Sequence, residues 1–239
     1  DAEWNEAPCS KSTRIAAPSV YMANNWMKYA RGVSDRNNVV WTEIGNVLKA
    51  YRPEVVGITT CSLNLKSAAN VARIAKSIDR GVMCVLGGPG ATIMPEDVIA
   101  DENVDFVVRG EGEETMAELL VELGASSPDF GRVDGLVHKR SDRVIRNKDR
   151  ELVQRLDDLP YPAKHLFMDL EKVPVRIRDA AIFGGILTSR GCPWDCAFCA
   201  NRDVWLSRRV RLRPAKDVVN EILYLKDANG TSILIFCDD

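Results

Sequence analysis

Between residues 41 and 124 the hydrophobic positions alternate between two periods. Residues 41–51 carry apolar side chains at helical spacing and stop at Arg52-Pro53, whereas Val55-Val56-Gly57-Ile58-Thr59 is a short apolar run of buried-strand type. Residues 65–80 return to the helical period, with Leu65, Ala68, Ala72, Ala75 and Ile78 on one face and Gly81 as the stop. Residues 82–86 predict a second strand, which Gly87-Gly88-Pro89-Gly90 breaks. A short helix over 95–100, a strand over 105–108 and a helix over 113–123 follow. Apolar strands separated by helices predict an α/β fold with a parallel sheet covered on both faces.

Past residue 124 the pattern changes. Residues 134–139 and 143–147 predict a small hairpin around Ser141-Asp142. Residues 150–178 are charged and punctuated by proline, which keeps a linker extended. A second unit starts near Ala180: strand 182–188, helix 214–227 and strand 232–236 form a βαβ crossover, right-handed by rule and suited to opening a parallel barrel. The expected organisation is a Rossmann-like domain over 1–149, a linker over 150–179 and the first part of a barrel over 180–239. The last strand falls just before the chain's end, so the sequence reads as a fragment, inactive by itself because the later barrel strands are missing.

Composition narrows the classes. Of the 239 residues, 46% are hydrophobic and 28% charged, as in an ordinary globular chain, and a net charge of −2 gives no general pull toward nucleic acid or anionic lipid. No apolar run approaches the roughly 20 residues a bilayer crossing needs. Residues 1–14 lack the apolar core of a signal peptide. Seven cysteines, an odd number, argue against a disulfide framework and for a reducing cytoplasm.

Three of those cysteines stand within eight residues, Cys192-Pro193-Trp194-Asp195-Cys196-Ala197-Phe198-Cys199. Thiolates are soft ligands, and this spacing suits an iron–sulfur cluster better than structural zinc, which wants four ligands. The nearest fourth candidates are the distant Cys237 and His165. Three sulfurs on a four-iron cube leave one iron open for a substrate or cofactor. Cys192, Cys196 and Cys199, with Phe198 in the aromatic slot and 186–191 as a strand entering the loop, resemble the signature of radical S-adenosylmethionine (radical SAM) enzymes. The resemblance implies a [4Fe-4S] cluster (4Fe-4S) whose open iron binds the amine and carboxylate of SAM. It also implies reductive cleavage to a 5′-deoxyadenosyl radical and an external electron donor, a flavodoxin or ferredoxin-like protein. Phe198 would help shape the adenine site, and Asp238 or Asp239 would contact SAM or substrate unless they are simply solvated.

Three loops are expected at the carboxyl edge of the first sheet: Thr59-Thr60-Cys61-Ser62, Gly87-Gly88-Pro89-Gly90-Ala91-Thr92 and Arg109-Gly110-Glu111-Gly112-Glu113. Ligands of open α/β sheets bind there, glycines admit close approach to backbone, and hydroxyls offer hydrogen bonds. Thr59, Thr60, Ser62, Gly87, Gly88, Thr92, Gly110, Glu111 and Gly112 are therefore the candidate contacts. A dinucleotide is disfavoured, because the acids after Gly110 would repel a pyrophosphate, and no phosphate loop is present.

From Pro18 to Gly124 these motifs, in this order, resemble the cobalamin-binding domain that precedes a radical SAM barrel. That resemblance implies cobalamin as a further cofactor. One SAM would methylate cobalamin and another would supply the radical, for methyl transfer to an unactivated carbon of a small-molecule or natural-product substrate, or for a related cyclisation or rearrangement. The chain departs from cobalamin domains that ligate cobalt through an Asp-x-His-x-x-Gly loop. Its two histidines, His138 and His165, lie outside the sheet loops and are expected to pack or face solvent. The first strand of such a domain is not evident over 3–15. Two other functions stay open: a methylthiotransferase, for which Cys9, Cys61 and Cys84 would hold a second cluster, and a non-catalytic cobalamin or iron–sulfur sensor. Neither membrane nor nucleic acid is expected as a partner. Arg208, Arg209, Arg211 and Arg213 are expected on a solvated face, and Trp194 and Trp205 buried near the barrel mouth.

Overall fold

A computed structural model describes residues 23–141, 143–166, 185–229, 231 and 233–238. Residues 3–15, where no first strand is evident, Cys9, Asp239 and the first three residues of the strand over 182–188 lie outside the described residues. The chain divides into two units. One holds Trp41–Val153 with Phe198–Ser207; the other holds Asp1–Val40, Gln154–Ala197 and Arg208–Asp239. The first unit thus ends at Val153 and takes in a short later segment, while residues up to Val40 group with the other.

After helix α1 (Ala23–Ser34), the first unit follows the sequence pattern closely: α2 (Val39–Tyr51), β1 (Val55–Thr59), α3 (Leu65–Ile78), β2 (Met83–Gly87), α4 (Pro89–Ile93), α5 (Pro95–Ala100), β3 (Phe106–Val108) and α6 (Glu113–Leu123). The break expected at 87–90 instead starts α4, because Pro89 sits comfortably in a first helical turn. The hairpin forms as β4 (Leu136–Arg140) and β5 (Arg143–Arg146), with Ser141 at φ 55 in its turn.

The sheet runs β1-β2-β3-β4-β5, and the three strands expected to be parallel are so. Only β1, β2 and β3 are parallel; β4 pairs antiparallel with β3, so the hairpin extends the sheet and makes it mixed. The two-residue alternation of β2 and β3 sorts their side chains to opposite faces. Cys84, Leu86 and Val107 join Ala68, Ala72 and Ala75 of α3 and Ile99 of α5 on one side. Val85, Phe106 and Val108 meet Leu119 of α6 with Val133 and Leu136 on the other. Small alanines on α3 let the helix lie close to the strands.

In the second unit β6 (Gly185–Ile186) pairs parallel with β9 (Ile235–Phe236), and the helix Ala215–Asn229 connects them as the predicted crossover. Ile186, Val218 and Leu225 form its described core. A further ladder, β7 (Ser189–Arg190) against β8 (Arg211–Leu212), is antiparallel and has no strong hydrophobic signal. The described part of the linker, residues 150–166, holds 3₁₀ turns at Leu156–Asp158 and Lys164–Leu166 and is otherwise without helix or strand.

Candidate functional site

Parallel pairing brings the three glycine and hydroxyl loops to one edge. Thr59 at the end of β1 stands opposite Gly87 at the end of β2. Beyond them Thr60 joins the first two loops. Its hydroxyl donates to the Gly87 carbonyl at 2.8 Å and accepts from Ala91 N at 2.8 Å, while its carbonyl accepts from Gly90 N at 2.9 Å. Thr92 joins the second to the third, donating to Gly88 O and accepting from Gly110 N, both at 3.0 Å. Both threonines are buried. Their hydroxyls fasten the loops to one another. Thr59 and Ser62 are exposed and keep their hydroxyls at the surface. Gly88 is required by the approach of the first loop: at φ 88, a Cβ would lie 2.7 Å from Thr59 Oγ1 and 2.8 Å from Thr60 O.

The third loop fastens the chain that leaves the hairpin. Arg109 is 3% exposed and forms an ion pair with Asp149, its Nε left without a partner. Glu111, also buried, accepts from Val153 N at 2.9 Å, and Gly112 caps α6. Arg150 donates to Thr115 Oγ1 at 2.7 Å and pairs with Glu114 and Glu118. The candidate Glu111 is thus engaged with protein backbone. Sequence reasoning missed Asp149 and Arg150, whose only signal was the charged stretch after the hairpin.

The segment Phe198–Ser207, which begins inside the cysteine motif, belongs to this same unit. Its helix Asn201–Trp205 packs against α4. Leu206 ends that helix in the left-handed region at φ 54, and its Cδ1 would lie 3.2 Å from a Cβ on Gly110. Phe198 itself is 93% exposed. The end of the cysteine motif and the glycine loops are therefore parts of one compact unit.

Upstream, residues 191–196 form an irregular loop. Gly191, at φ 94, is fixed by crowding, since a Cβ there would overlap the Arg209 carbonyl. Cys192 is half-buried, Cys196 and Cys199 are exposed, and all three are free thiols. Among the described residues no three His, Cys, Asp or Glu side chains converge in metal-binding geometry. Cys84 is a different kind of thiol: it is fully buried in β2, and burial pushes its pKa up to about 11. A thiol held protonated in the core is unsuited to ligate a second cluster.

Several expectations change at the side-chain level. The arginine run is only partly a solvated face: Arg208 and Arg209 are exposed. Arg211 is buried, Arg208 pairs with Asp195, and Arg209 donates to Gln154 at 2.6 Å. Arg213 pairs with Asp217 at 2.6 Å and with the buried Glu221, while Tyr161 donates to Asp217 at 2.9 Å. Trp194 is 73% exposed, against the expected burial, whereas Trp205 is half-buried. Asp238 is not merely solvated: its carboxylate accepts from Thr188 and Ser189. His138 packs, as one of the two expectations for it had it. It is buried in β4 opposite Phe106, the first residue of β3, and so lies toward the sheet edge away from the glycine loops. His165 sits in the 3₁₀ turn of the other unit. A cavity of about 400 Å³ bounded by Leu48, Arg52, Val56, Ile78 and Val82 also lies by the start of β1, away from those loops.

A parallel α/β core with three pinned loops at its carboxyl edge defines a ligand-binding domain of the doubly wound class. Residues 33–120 match the family described as B12 binding domain. The chain is 34% identical over 204 residues to an uncharacterized methyltransferase of Pyrococcus horikoshii, covering 84% of this chain and 43% of the relative. It is 31% identical over 187 residues to 2-(S-pantetheinyl)-carbapenam-3-carboxylate methyltransferase of Streptantibioticus cattleyicolor, covering 78% and 27%. It is 29% identical over 148 residues to the cobalamin-dependent radical SAM methyltransferase TokK of Streptomyces tokunonensis, covering 62% and 22%. Its fold matches the radical S-adenosylmethionine methyltransferase TsrM of Kitasatospora setae, solved with cobalamin and a [4Fe-4S] cluster, at a TM-score of 0.60, 19% identity and coverage of 89% and 41%. The chain belongs to the B12-binding-domain family of radical SAM enzymes. It spans less than half the length of these relatives. Among the described residues no helix is long and apolar enough to cross a membrane.

Proposed function

We propose that this chain carries the cobalamin-binding domain and the cluster-bearing start of the catalytic domain of a radical SAM methyltransferase acting on an unactivated carbon of a small molecule. The observation that carries the reading is the shared unit: three pinned loops at the carboxyl edge of a B12-binding domain, and the end of the cysteine motif folded into that same unit.

The residues present suit both groups. At the glycine-loop edge the exposed Thr59 and Ser62 hydroxyls and the half-buried backbone of Gly87 and Gly88 would hold a corrin and its amide arms. His138 lies toward the opposite edge, so cobalt would take no imidazole from this unit's sheet loops. Cys192, Cys196 and Cys199 are free and accessible enough to serve as thiolate ligands to a cluster, in a loop whose backbone is not tied into a ladder. When bound, the two cofactors would supply a transferable methyl group and the electron that cleaves SAM.

The chain's own contribution is placement. Thr60 and Thr92 hold the loops in register without moving parts, and buried hydrogen bonds of this kind preorganise a surface. Glu111, Arg109 and Arg150 fasten the chain that leaves the hairpin, so the third loop keeps its position. The electron would come from a flavodoxin or ferredoxin-like donor, with no nucleic acid or membrane involved, in the cytoplasm.

Anaerobic reconstitution of the full-length protein tests this. About one corrinoid and four irons per chain, with SAM cleavage that disappears in Cys196→Ala, are the expected results. Zinc in anoxically prepared protein, no retained corrinoid, or undiminished cleavage by Cys196→Ala would overturn it. A second cluster in the first domain would point instead to methylthiotransfer.

A further inference from the structure

Two polar clamps grip the residues just before the cysteine loop. Asp238 supplies the first. It lies two residues past the end of β9, as Thr188 lies two past the end of β6, and those strands pair in register. Its carboxylate accepts from Thr188 N, Thr188 Oγ1 and Ser189 N, each at 2.7 Å, and from Ser189 Oγ at 3.1 Å. Arg213 supplies the second, donating through its backbone N to Thr188 O at 2.8 Å and through Nη1 to Leu187 O at 2.7 Å. Asp217 and the buried Glu221 hold the Arg213 guanidinium in place. Leu187, Thr188 and Ser189 therefore have their polar groups fixed from both sides, three residues ahead of Cys192.

A carboxylate that served SAM directly would need an oxygen free to accept from it. Most of that capacity is already used: Oδ1 of Asp238 takes three donors, while Oδ2 takes the Thr188 hydroxyl and keeps one lone pair. Burial works against its charge, but these hydrogen bonds outweigh burial and hold its pKa below the ordinary carboxylate value. The anion is thus stabilised by the chain alone.

We infer that Asp238 is a positioning residue, which sets the direction in which the chain leaves β6 and so the placement of the loop carrying Cys192 and Cys196. The inference rests on the reading of that loop as the cluster site. It differs from a SAM-contact role, which would leave the loop unmoved when Asp238 is changed. Thiolate ligands on a short irregular loop have little else to orient them, so a loosened anchor would reach the first sulfur within a few residues.

The test uses the full-length protein with Asp238→Ala, Asp238→Asn and Thr188→Val. Two properties are read: amide hydrogen exchange at Thr188 and Ser189 without cofactors, and the spectrum of the reduced, reconstituted cluster before SAM is added. Asp238→Ala is expected to raise exchange at both amides about tenfold and to lower and broaden the cluster signal. Asp238→Asn keeps a carbonyl oxygen that can accept from both amides, and is expected to restore both properties toward wild type. Thr188→Val loses one of the four bonds and should fall between, which keeps the test usable if Asp238→Ala does not fold. Wild-type exchange and cluster spectra in Asp238→Ala, with only the SAM-induced spectral change lost, would overturn the inference in favour of direct contact. Failure of the wild-type protein to bind a cluster would instead sink the underlying reading, with the exchange arm still deciding whether Asp238 holds the strand end.

Discussion

At the scale of single residues, burial decides which polar groups are available for chemistry and which serve the fold. His138 illustrates this with a measurable consequence. It is buried in β4 with its ring tilted against Phe130 at 5.9 Å, and burial lowers its pKa below the ordinary histidine value. Arg140 lowers it further, while the neighbouring polar groups of Lys139 and Asn147 and the charge of Asp129 act the other way. The fold therefore favours neutral imidazole. As pH falls below the unfolded value of about 6.5, the unfolded chain takes up a proton that the folded chain resists, so stability present at higher pH is lost toward the folded pKa. The slope for this one group is at most about 1.4 kcal/mol per pH unit. Urea unfolding of wild type and His138→Phe between pH 5 and 8 should show a shallower acid loss in the variant; parallel curves would refute it. The sequence placed His138 outside the ligand loops correctly, but could not reveal how deeply it is buried, because that follows from the long-range pairing of β4 with β3. The same limit applied to Thr60 and Thr92. Their identities marked the loops, yet the direction of a hydroxyl depends on a loop some 30 residues away in the chain.

At the scale of elements, hydrophobic period was a sound guide wherever a strand or helix buries a regular face. It found β1, α5 and α6 at their observed bounds, since each presents an uninterrupted apolar or amphipathic pattern. It failed on β8, a two-residue strand held by backbone pairing, and on Arg211 and Arg213, where charge suggested solvent. Arg213 is half-buried because acids one and two turns along the following helix, Asp217 and Glu221, meet it there. Glu221 is 2% exposed, so its charge depends on that partner. Arg213→Leu should cost about 3–5 kcal/mol, the usual penalty of leaving one member of a buried pair uncompensated. The double variant Arg213→Leu/Glu221→Leu should recover most of that loss, because it removes the stranded charge as well. Chemical denaturation of the single and double variants decides between this and a surface ion pair, for which the single change would cost under about 1 kcal/mol.

At the scale of the molecule, what the described residues of each unit bury bears on where a cofactor should be felt. The first has a five-stranded sheet with apolar clusters on both faces; the described core of the second is Ile186, Val218 and Leu225 beneath two-residue ladders. Amides of β2 and β3 should accordingly exchange only through large openings, while those of β6 and β9 exchange through smaller ones. A ligand that binds only the folded form adds stability by mass action, about 2.7 kcal/mol at a hundredfold excess over its dissociation constant. If the glycine-loop edge holds a corrin, hydroxocobalamin should slow exchange across 59–62, 87–92 and 109–112 and raise the unfolding midpoint of the first unit. Cyanide-blocked or base-off analogues should do the same where the corrin ring itself is the recognised surface, because no histidine from these loops has to reach the metal. Thr60→Val supplies the internal control. It removes a hydroxyl that both donates to Gly87 and accepts from Ala91, so it should loosen the loop edge by about 1–3 kcal/mol and weaken corrin retention together. Corrin-dependent protection that appears instead around the 400 Å³ cavity near Leu48 and Val56 would move the binding surface to the far edge of the sheet and remove the glycine loops from the site.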